Sequence, residues 1–395
     1  MRIGPVPLLA SDSAKSGGRE AGLSTVGNPR EERNRARLDR FTMHEVKHSS
    51  REARIPGGVA AAWKPEGRPG AVLLRWFATQ WCNYRCPYCR QNHARRQPID
   101  GHWAHCFDNW PVDRWLRAFQ RHFQTRRLSL VITGGEPLVD HAPMAELVNG
   151  LTVMPTVECI RIDTNACLAM EKFQAFDPRK ITLMCTFHPS QTTELRFFQK
   201  IDALLSLGFK IGMVNYVLTS ETLPDFERRY RSLAQRGVPL HPNPLWGSRG
   251  AYSREGLRIL QEYLPRFDYG YRTGLRSPLR QACFFPAVAY QMNPWGRLHV
   301  GCHRTRAGSF FDDELPPQFA GPVPCPQTSC VCLDMYSFLA DQERNCTTDP
   351  LAMYRDALLE LAARRAGKNE GERFVGAVAG ECASQRLGAA GEVES

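Results

Sequence analysis

The sequence predicts an α/β fold with a parallel sheet, because strand-like and helix-like runs alternate through the middle of the chain. The strand-like runs cover residues 72–77, 128–133, 159–163, 181–187, 211–218 and 240–245. The helix-like runs cover residues 112–123, 144–151, 193–207, 223–236 and 254–263. In barrels built from such βα units, the active site forms at the carboxyl ends of the strands. Chemistry-bearing residues are therefore expected in the segments that directly follow the strands.

Four regions are predicted along the 395 residues. Residues 1–60 are rich in Ser, Gly, Arg and Glu without a sustained apolar period, which predicts a disordered basic segment. The core is predicted over residues 68–265, a small cysteine-rich C-terminal extension over 275–350, and a disordered tail over 364–395. Met43 is a candidate translation start in place of Met1.

Composition indicates a reducing compartment. The chain has 14 cysteines but no convincing signal peptide, which favours metal ligation over disulfides. No apolar run is long enough for a transmembrane helix, so we expect a cytoplasmic protein that does not use a membrane. The net charge of +11 suits an anionic substrate or a nucleic acid, and it equally suits a solvated surface.

A short loop after the first strand-like run carries three cysteines in the pattern C-x3-C-x2-C. They are Cys82, Cys86 and Cys89, and the next cysteine along the chain is Cys106. Three thiolates on one loop are suited to hold three corners of an iron–sulfur cubane, leaving one iron open to a substrate or cofactor. A zinc knuckle completed by His93 is the alternative from this loop alone.

The second strand-like run leads into a Gly-Gly-Glu-Pro turn. Its members are Gly134, Gly135, Glu136 and Pro137. The glycines are expected to let the backbone approach a ligand closely, and the glutamate to accept a hydrogen bond from an ammonium group. Such a turn alone is weak evidence for a ligand site. The combination of C-x3-C-x2-C after one strand and this turn after the next is far more specific.

With these two motifs the sequence resembles the radical S-adenosylmethionine (radical SAM) enzymes. The cysteine triplet matches the family's cluster motif, and Tyr88 stands where the family packs the adenine. The Gly-Gly-Glu-Pro turn matches the family's methionine-amine motif. The resemblance implies a partial (β/α)6 TIM-type barrel and a [4Fe–4S] cluster whose open iron chelates S-adenosylmethionine (AdoMet). It further implies reductive cleavage of AdoMet to a 5′-deoxyadenosyl radical, which abstracts hydrogen from substrate.

Polar residues at later strand ends are further candidates. Asp163 and Asn165 follow the third run and are candidates to hydrogen-bond the AdoMet ribose or carboxylate, with a helix cap or turn as the alternative for Asn165. His188 follows the fourth run and is a weak candidate for substrate binding or proton transfer. Polar side chains in the last two runs are expected to point in part into the barrel; they are Asn215, Tyr216, His241 and Asn243. Three cysteines without spaced partners are predicted to be core residues; they are Cys159, Cys167 and Cys185.

A second group of five cysteines falls between residues 283 and 332. A Trp-Gly turn at 295–296 between two extended runs predicts a β-hairpin beside them. Zinc is the usual occupant of a four-cysteine site on a hairpin. Beside a radical SAM core, the group instead looks like the family's SPASM/twitch extension, although C-x4-C-x-C departs from its pattern, which favours one auxiliary cluster over two. The preferred ligands are Cys302, Cys325, Cys330 and Cys332, with Cys283 as the alternate.

The reaction expected is an oxidative modification of a peptide or small molecule, because an auxiliary cluster is suited to bind substrate or to accept an electron from its radical. An electron donor such as flavodoxin or ferredoxin is expected as a partner. Two alternatives stay open: an RNA-modifying radical SAM enzyme, for which no RNA module is recognisable, and a non-catalytic zinc or Fe–S protein.

Overall fold

Eleven strands and five longer helices make up the part of the chain that a computed structural model describes. The described residues are 72–89, 105–245, 252–265, 269–271, 275–302, 306–330, 358–362 and 365. They belong to one compact unit, Arg54–Ser395. The disordered segments predicted over 1–60 and 364–395 fall outside the described residues, except for Arg365.

The six predicted strands all form, each within three residues of its predicted bounds. They are β1 (Val72–Thr79), β2 (Leu128–Gly134), β3 (Val157–Thr164), β4 (Ile181–Phe187), β5 (Lys210–Leu218) and β6 (Leu240–Pro244). Each is parallel to the next, so they lie side by side in chain order. The expectation of a largely parallel α/β sheet is therefore confirmed.

Helices follow the strands as the apolar periodicity predicted. They are α1 (Val112–Phe123), α2 (His141–Thr152), α3 (Glu194–Ser206), α4 (Phe226–Ala234) and α5 (Arg254–Tyr263). Shorter helical turns cover Cys106–Asn109, Pro137–Asp140, Met170–Phe173, Pro178–Lys180, Leu223–Asp225 and Phe285–Val288. Thr193 and Ser253 cap α3 and α5 by accepting the backbone N–H three residues on, which satisfies a donor that the helix leaves open.

The C-terminal region extends the sheet at the β1 edge. β7 (Ala282–Cys283) and β11 (Val323–Pro324) pair with each other in a separate two-stranded sheet, while β8 (Ala289–Met292), β9 (Arg297–Val300) and β10 (Ala307–Ser309) join the main sheet. β8 runs parallel to β1, and β9 and β10 then continue antiparallel. The predicted hairpin is confirmed at the β8–β9 turn, where Gly296 adopts a positive φ of 81°. Because β8 pairs with β1, the first strand has hydrogen-bonded neighbours on both sides.

The two faces of the sheet are buried by two separate clusters of apolar side chains. Alternate residues such as Leu74, Trp76 and Ile132 face the five helices and form an outer apolar cluster. The intervening residues Leu73 and Val131 face the other way, with Met184 and Met213. They pack against a second group from the C-terminal region, which includes Cys283, Phe284, Phe285, Val288, Ala289, Cys325 and Leu358. We call this second group the inner cluster. The period-two alternation of a strand thus gives the sheet one face for the helices, where Phe310 and Phe311 also pack on α1, and another for the inner cluster.

Among the described residues, no helix combines the length and apolar character needed to cross a membrane.

Candidate functional site

The three loop cysteines lie just beyond the carboxyl end of β1. Cys86 is buried, and Cys82 and Cys89 are partly exposed. The Cys89 N–H donates to the Cys86 carbonyl at 3.0 Å, which closes a turn, and the Tyr84 N–H donates to Cys82 Sγ at 3.4 Å. Burial raises the pKa of the Cys82 thiol to about 11, and the other two cysteines add to the rise. The three sulfurs therefore act on one another electrostatically across one short loop.

The Gly-Gly-Glu-Pro turn is joined to this loop through the backbone. The Gly135 N–H donates to the Thr79 carbonyl at 2.8 Å, and the Glu136 N–H donates to the Trp81 carbonyl at 2.9 Å. The junction starts at a bulge, where the β1–β2 pairing shifts between Phe77 and Thr79. These bonds hold the second motif against the residue that precedes the first cysteine.

Both positions require glycine, because the backbone at Thr79 and Trp81 lies too close to leave room for a side chain. A Cβ at Gly134 would lie 2.0 Å from the Thr79 carbonyl oxygen, and one at Gly135 would lie 2.0 Å from the Trp81 carbonyl oxygen. Gly134 also has a φ of 142°. The sequence led us to expect these glycines beside a ligand. In the structure, the contact that excludes a side chain is with the cysteine loop itself.

The Glu136 carboxylate is buried and lies at the end of β3. It accepts the Leu138 N–H at 3.1 Å and the Thr164 hydroxyl at 2.8 Å through Oε1, and the Asn165 N–H at 2.6 Å through Oε2. Burial raises the pKa of this carboxyl to about 7, against the lowering effect of the three hydrogen bonds. Glu136 therefore links the ends of β1, β2 and β3. Its predicted contact with an ammonium group stays a prediction.

Asn165 reaches from the end of β3 to the cysteine loop. Its Nδ2 lies 2.9 Å from Asn83 Oδ1 and 3.8 Å from Cys82 Sγ, while its Oδ1 accepts the Cys167 N–H at 3.0 Å. Asn83 Nδ2 in turn donates to Cys167 Sγ at 2.6 Å. Cys167 was predicted to be a core residue, and this is wrong: the thiol is partly exposed and contacts the cysteine loop. Its position two residues after Asn165, at a strand end, was the available signal.

Of the other cysteines predicted to be core residues, Cys185 is buried in the outer cluster, as expected. Cys159 is only partly buried.

Asp163 is engaged by a neighbouring side chain on its own strand. Arg161 donates to both carboxylate oxygens, from Nε at 2.6 Å and from a terminal nitrogen at 3.1 Å. The side chains are 4% and 13% exposed, so this is a largely buried ion pair. The predicted contact of Asp163 with AdoMet stays a prediction, but any such ligand would share the carboxylate with Arg161.

His188, at the end of β4, contacts the cysteine loop at Cys86 and Tyr88. Its Nδ1 is 2.9 Å from the Tyr88 hydroxyl and 3.4 Å from Cys86 Sγ. The rings of Tyr88 and His188 are nearly parallel at 6.1 Å. Burial lowers the pKa of His188 to about 4, which keeps the imidazole neutral near pH 7. The adenine-packing role predicted for Tyr88 and the catalytic role considered for His188 stay predictions.

The polar residues of β5 and β6 lie on both faces of the sheet. His241 Nδ1 lies 2.8 Å from Asn215 Oδ1, and both side chains are buried on the face opposite the helices. An amide oxygen only accepts, so His241 is the donor. Tyr216 instead faces the outer cluster, where its hydroxyl donates to the Thr222 carbonyl at 2.7 Å. Asn243 is partly buried.

Four of the five C-terminal cysteines lie in or against the inner cluster. Cys283 and Cys325 are members of the inner cluster, and Cys302 and Cys330 pack against it. Cys283 lies on β7 opposite Val323, and the chain beside it is fixed by backbone bonds between Arg280, Gln281 and Cys325. Cys332, a preferred ligand in the sequence prediction, lies outside the described residues. Cys283, the alternate, is buried in the inner cluster.

The donor set of the first loop fits a thiolate-bound metal cluster, because three sulfurs share one loop and Cys82 and Cys86 each have a hydrogen-bonding partner near the sulfur. As the side chains stand, no three His, Cys, Asp or Glu residues in the described ranges are arranged to hold a single metal ion.

A cavity of about 250 Å³ opens beside the junction. Its polar lining comes from Asn83, Glu136 and Lys172, and Cys167 adds a thiol. Its apolar lining comes from Trp81, Leu138, Val139, Leu168 and Ala169. The cavity therefore places a buried carboxylate and an open space next to the loop that carries Cys82.

Replacing Gly135 by alanine should destabilise the protein by about 1–3 kcal/mol, because the new Cβ overlaps the Trp81 carbonyl and forces the two motifs apart. The free energy of unfolding from urea titration measures this. Gly321→Ala is the matched control, since nothing lies within 4 Å of its Cβ position. Equal stability of the two variants would contradict the close contact at Gly135.

The raised pKa of Glu136 predicts a pH dependence of stability in the cluster-free protein. A carboxyl with pKa about 7 when folded and 4.5 when unfolded gives its full stabilisation below pH about 4.5 and loses it as pH rises through 7. The loss should be about 3 kcal/mol. Unfolding free energies of wild type and Glu136→Gln between pH 4.5 and 8 should diverge by this amount. Parallel curves would contradict a raised pKa of Glu136 in the folded protein.

Comparisons with known proteins give structural neighbours only. No family model matches the chain, and no curated protein matches it. The chain is similar to a structure of native anSMEcpe with bound AdoMet and the Kp18Cys peptide, at 13% identity and a TM-score of 0.47, covering 76% of this chain and 99% of that one. A histidine-tagged form of anSMEcpe with bound AdoMet gives 14% identity and a TM-score of 0.45, covering 62% of this chain and 76% of that one.

A third similar structure is BtrN in complex with AdoMet and 2-DOIA. It has 12% identity and a TM-score of 0.30, covering 74% of this chain and 89% of that one. All three of these structures contain bound AdoMet.

Proposed function

We propose that this chain is a radical SAM enzyme that modifies a peptide or small-molecule substrate oxidatively. A [4Fe–4S] cluster on Cys82, Cys86 and Cys89 would supply the electron that cleaves AdoMet to a 5′-deoxyadenosyl radical. The observation that carries the proposal is the backbone junction between the two motifs. Two hydrogen bonds and two close glycine contacts hold Gly-Gly-Glu-Pro against the cysteine loop, at the carboxyl edge of a parallel sheet.

Glu136 is proposed to orient the amine of AdoMet while it holds the strand ends together. Its carboxylate accepts three protein hydrogen bonds, and a carboxylate has room for about four. The remaining position and the adjoining cavity are suited to an ammonium group. An ammonium next to a buried carboxylate favours the ionised form, which offsets the cost of burying the charge.

The architecture proposed is the partial (β/α)6 barrel of the family. Six parallel strands in chain order, each neighbouring the next, support it. The face opposite the helices carries the buried pairs Arg161–Asp163 and Asn215–His241. Polar groups buried on this face are suited to orient a substrate, because they are fixed by one another and surrounded by apolar side chains.

An auxiliary Fe–S cluster is proposed on Cys283, Cys302, Cys325 and Cys330. The support is that all four pack into one apolar group, which restricts water and favours thiolate ligation of iron. This set exchanges Cys332 of the sequence prediction for Cys283. The auxiliary cluster would accept an electron from a substrate radical, which suits a net oxidation. A flavodoxin or ferredoxin is proposed as the electron donor.

The proposal predicts that Cys86→Ala loses all AdoMet cleavage, because it removes a thiolate from the cluster with the open iron. The measurement is 5′-deoxyadenosine released by the anaerobically reconstituted, reduced protein. Cys159→Ala is the control, since Cys159 lies near the amino end of β3, opposite the end that adjoins the cysteine loop. Wild-type protein that binds zinc alone and releases no 5′-deoxyadenosine would refute the function.

Replacing Cys283 by alanine should lower the iron content by about four atoms per chain while AdoMet cleavage persists without turnover of the true substrate. Cys332→Ala should leave the iron content unchanged. Iron and sulfide analysis of the reconstituted variants decides between the two ligand sets. The reverse result would restore Cys332 as the fourth ligand.

A further inference from the structure

We propose that Asn165 is a positioning residue that donates a hydrogen bond to the Cys82 sulfur and so raises the reduction potential and the retention of the cluster on this loop. This inference rests on the proposed function, since it requires a cluster on Cys82. The sequence led us to expect that Asn165 contacts AdoMet. In this inference it instead contacts Cys82, one of the cysteines that would hold the cluster.

The orientation of the Asn165 amide is fixed by its neighbours. Its Oδ1 accepts the Cys167 N–H at 3.0 Å, so the amide oxygen must face residue 167. The NH₂ group then points the other way, toward Asn83 Oδ1 at 2.9 Å and Cys82 Sγ at 3.8 Å. An amide has two N–H donors, and these two acceptors take both. Asn165 is 6% exposed, so water does not compete freely for these donors.

The backbone that carries Asn165 is held in place from two sides. Its own N–H donates to Glu136 Oε2 at 2.6 Å, and the next residue, Ala166, has a φ of +54°. This left-handed conformation costs about 1 kcal/mol in a non-glycine residue and persists only where its surroundings impose it. Thr164 imposes it here, because its hydroxyl accepts the Ala166 N–H at 3.0 Å while donating to Glu136. The turn after β3 is thus built to direct the Asn165 amide at the cysteine loop.

The electrostatic consequence follows from the charge on a ligated sulfur. An N–H dipole directed at a thiolate stabilises negative charge, and it stabilises the reduced cluster more because that state carries one more electron. Cys82 also receives the Tyr84 N–H, which belongs to the same loop. Asn165 is the side-chain donor from another strand end, so it couples the Cys82 sulfur to β3 and, through Glu136, to the Gly-Gly-Glu-Pro turn.

The test is the midpoint potential and the iron retention of Asn165→Ser in the reconstituted full chain. Serine keeps a short acceptor for the Cys167 N–H but does not extend to the Cys82 sulfur. We expect a lower midpoint potential in a redox titration followed by electron paramagnetic resonance. Competition with an iron chelator should show roughly 10–100-fold weaker retention.

Asn149→Ala is the matched control. Asn149 also makes two amide hydrogen bonds, to the Ala175 carbonyl and from the Asp177 N–H, each 2.8 Å long, but at the end of α2. It should change stability without changing the potential. Asn165→Ala is the second variant. It removes both donors without adding a charge, and the potential should shift in the same direction if the serine variant does not fold.

Three outcomes distinguish failure of the role proposed for Asn165 from failure of the proposed function. A wild-type potential and wild-type iron retention in both Asn165 variants would overturn the inference. Weakened AdoMet binding with an unchanged potential would also overturn it and return Asn165 to the AdoMet site. Wild-type protein that takes up no cluster would instead refute the proposed function, since the inference concerns only how an assembled cluster is tuned.

Discussion

Two backbone hydrogen bonds between the end of β1 and the turn after β2 hold the candidate site together. They join Thr79 to Gly135 and Trp81 to Glu136, and both glycines of the turn lie so close to the loop that a Cβ would overlap its carbonyl oxygens. The contacts of Glu136 and Asn165 build on this junction, while His188 reaches the cysteine loop separately from β4. Glu136 reaches β3 only because its backbone is fixed there, and the β3 turn then reaches the first cysteine.

The two faces of the sheet differ in what they carry. One is packed with apolar side chains, and the other carries buried polar pairs and cysteines. Helices bury the outer face in a continuous apolar cluster, while the C-terminal region packs on the other face with four cysteines. A cluster held by these cysteines would therefore lie on the side of the sheet that carries the Arg161–Asp163 and Asn215–His241 pairs. Since the cysteine loop lies at the carboxyl edge of the same strands, a substrate between them would have access to both kinds of centre.

The strands, helices and β8–β9 hairpin could be predicted because period-two and period-3.6 apolar patterns and the Trp-Gly turn are local signals. The place of the two motifs at neighbouring strand ends followed from the same patterns. The partners of Glu136 could not be predicted, since Thr164 and Asn165 meet it only when β2 and β3 pair. Cys167 was misjudged for the same reason, since its contact with Asn83 forms only when the end of β3 lies beside the cysteine loop.

In the proposed function, Cys82, Cys86 and Cys89 hold a cluster with one iron open to AdoMet. Mössbauer spectroscopy of protein reconstituted with ⁵⁷Fe, recorded with and without AdoMet, tests it most directly. One iron site of this cluster should change its isomer shift when AdoMet is added, and the change should be absent in a variant lacking the three loop cysteines. Spectra that are unchanged by AdoMet at saturating concentration would contradict it.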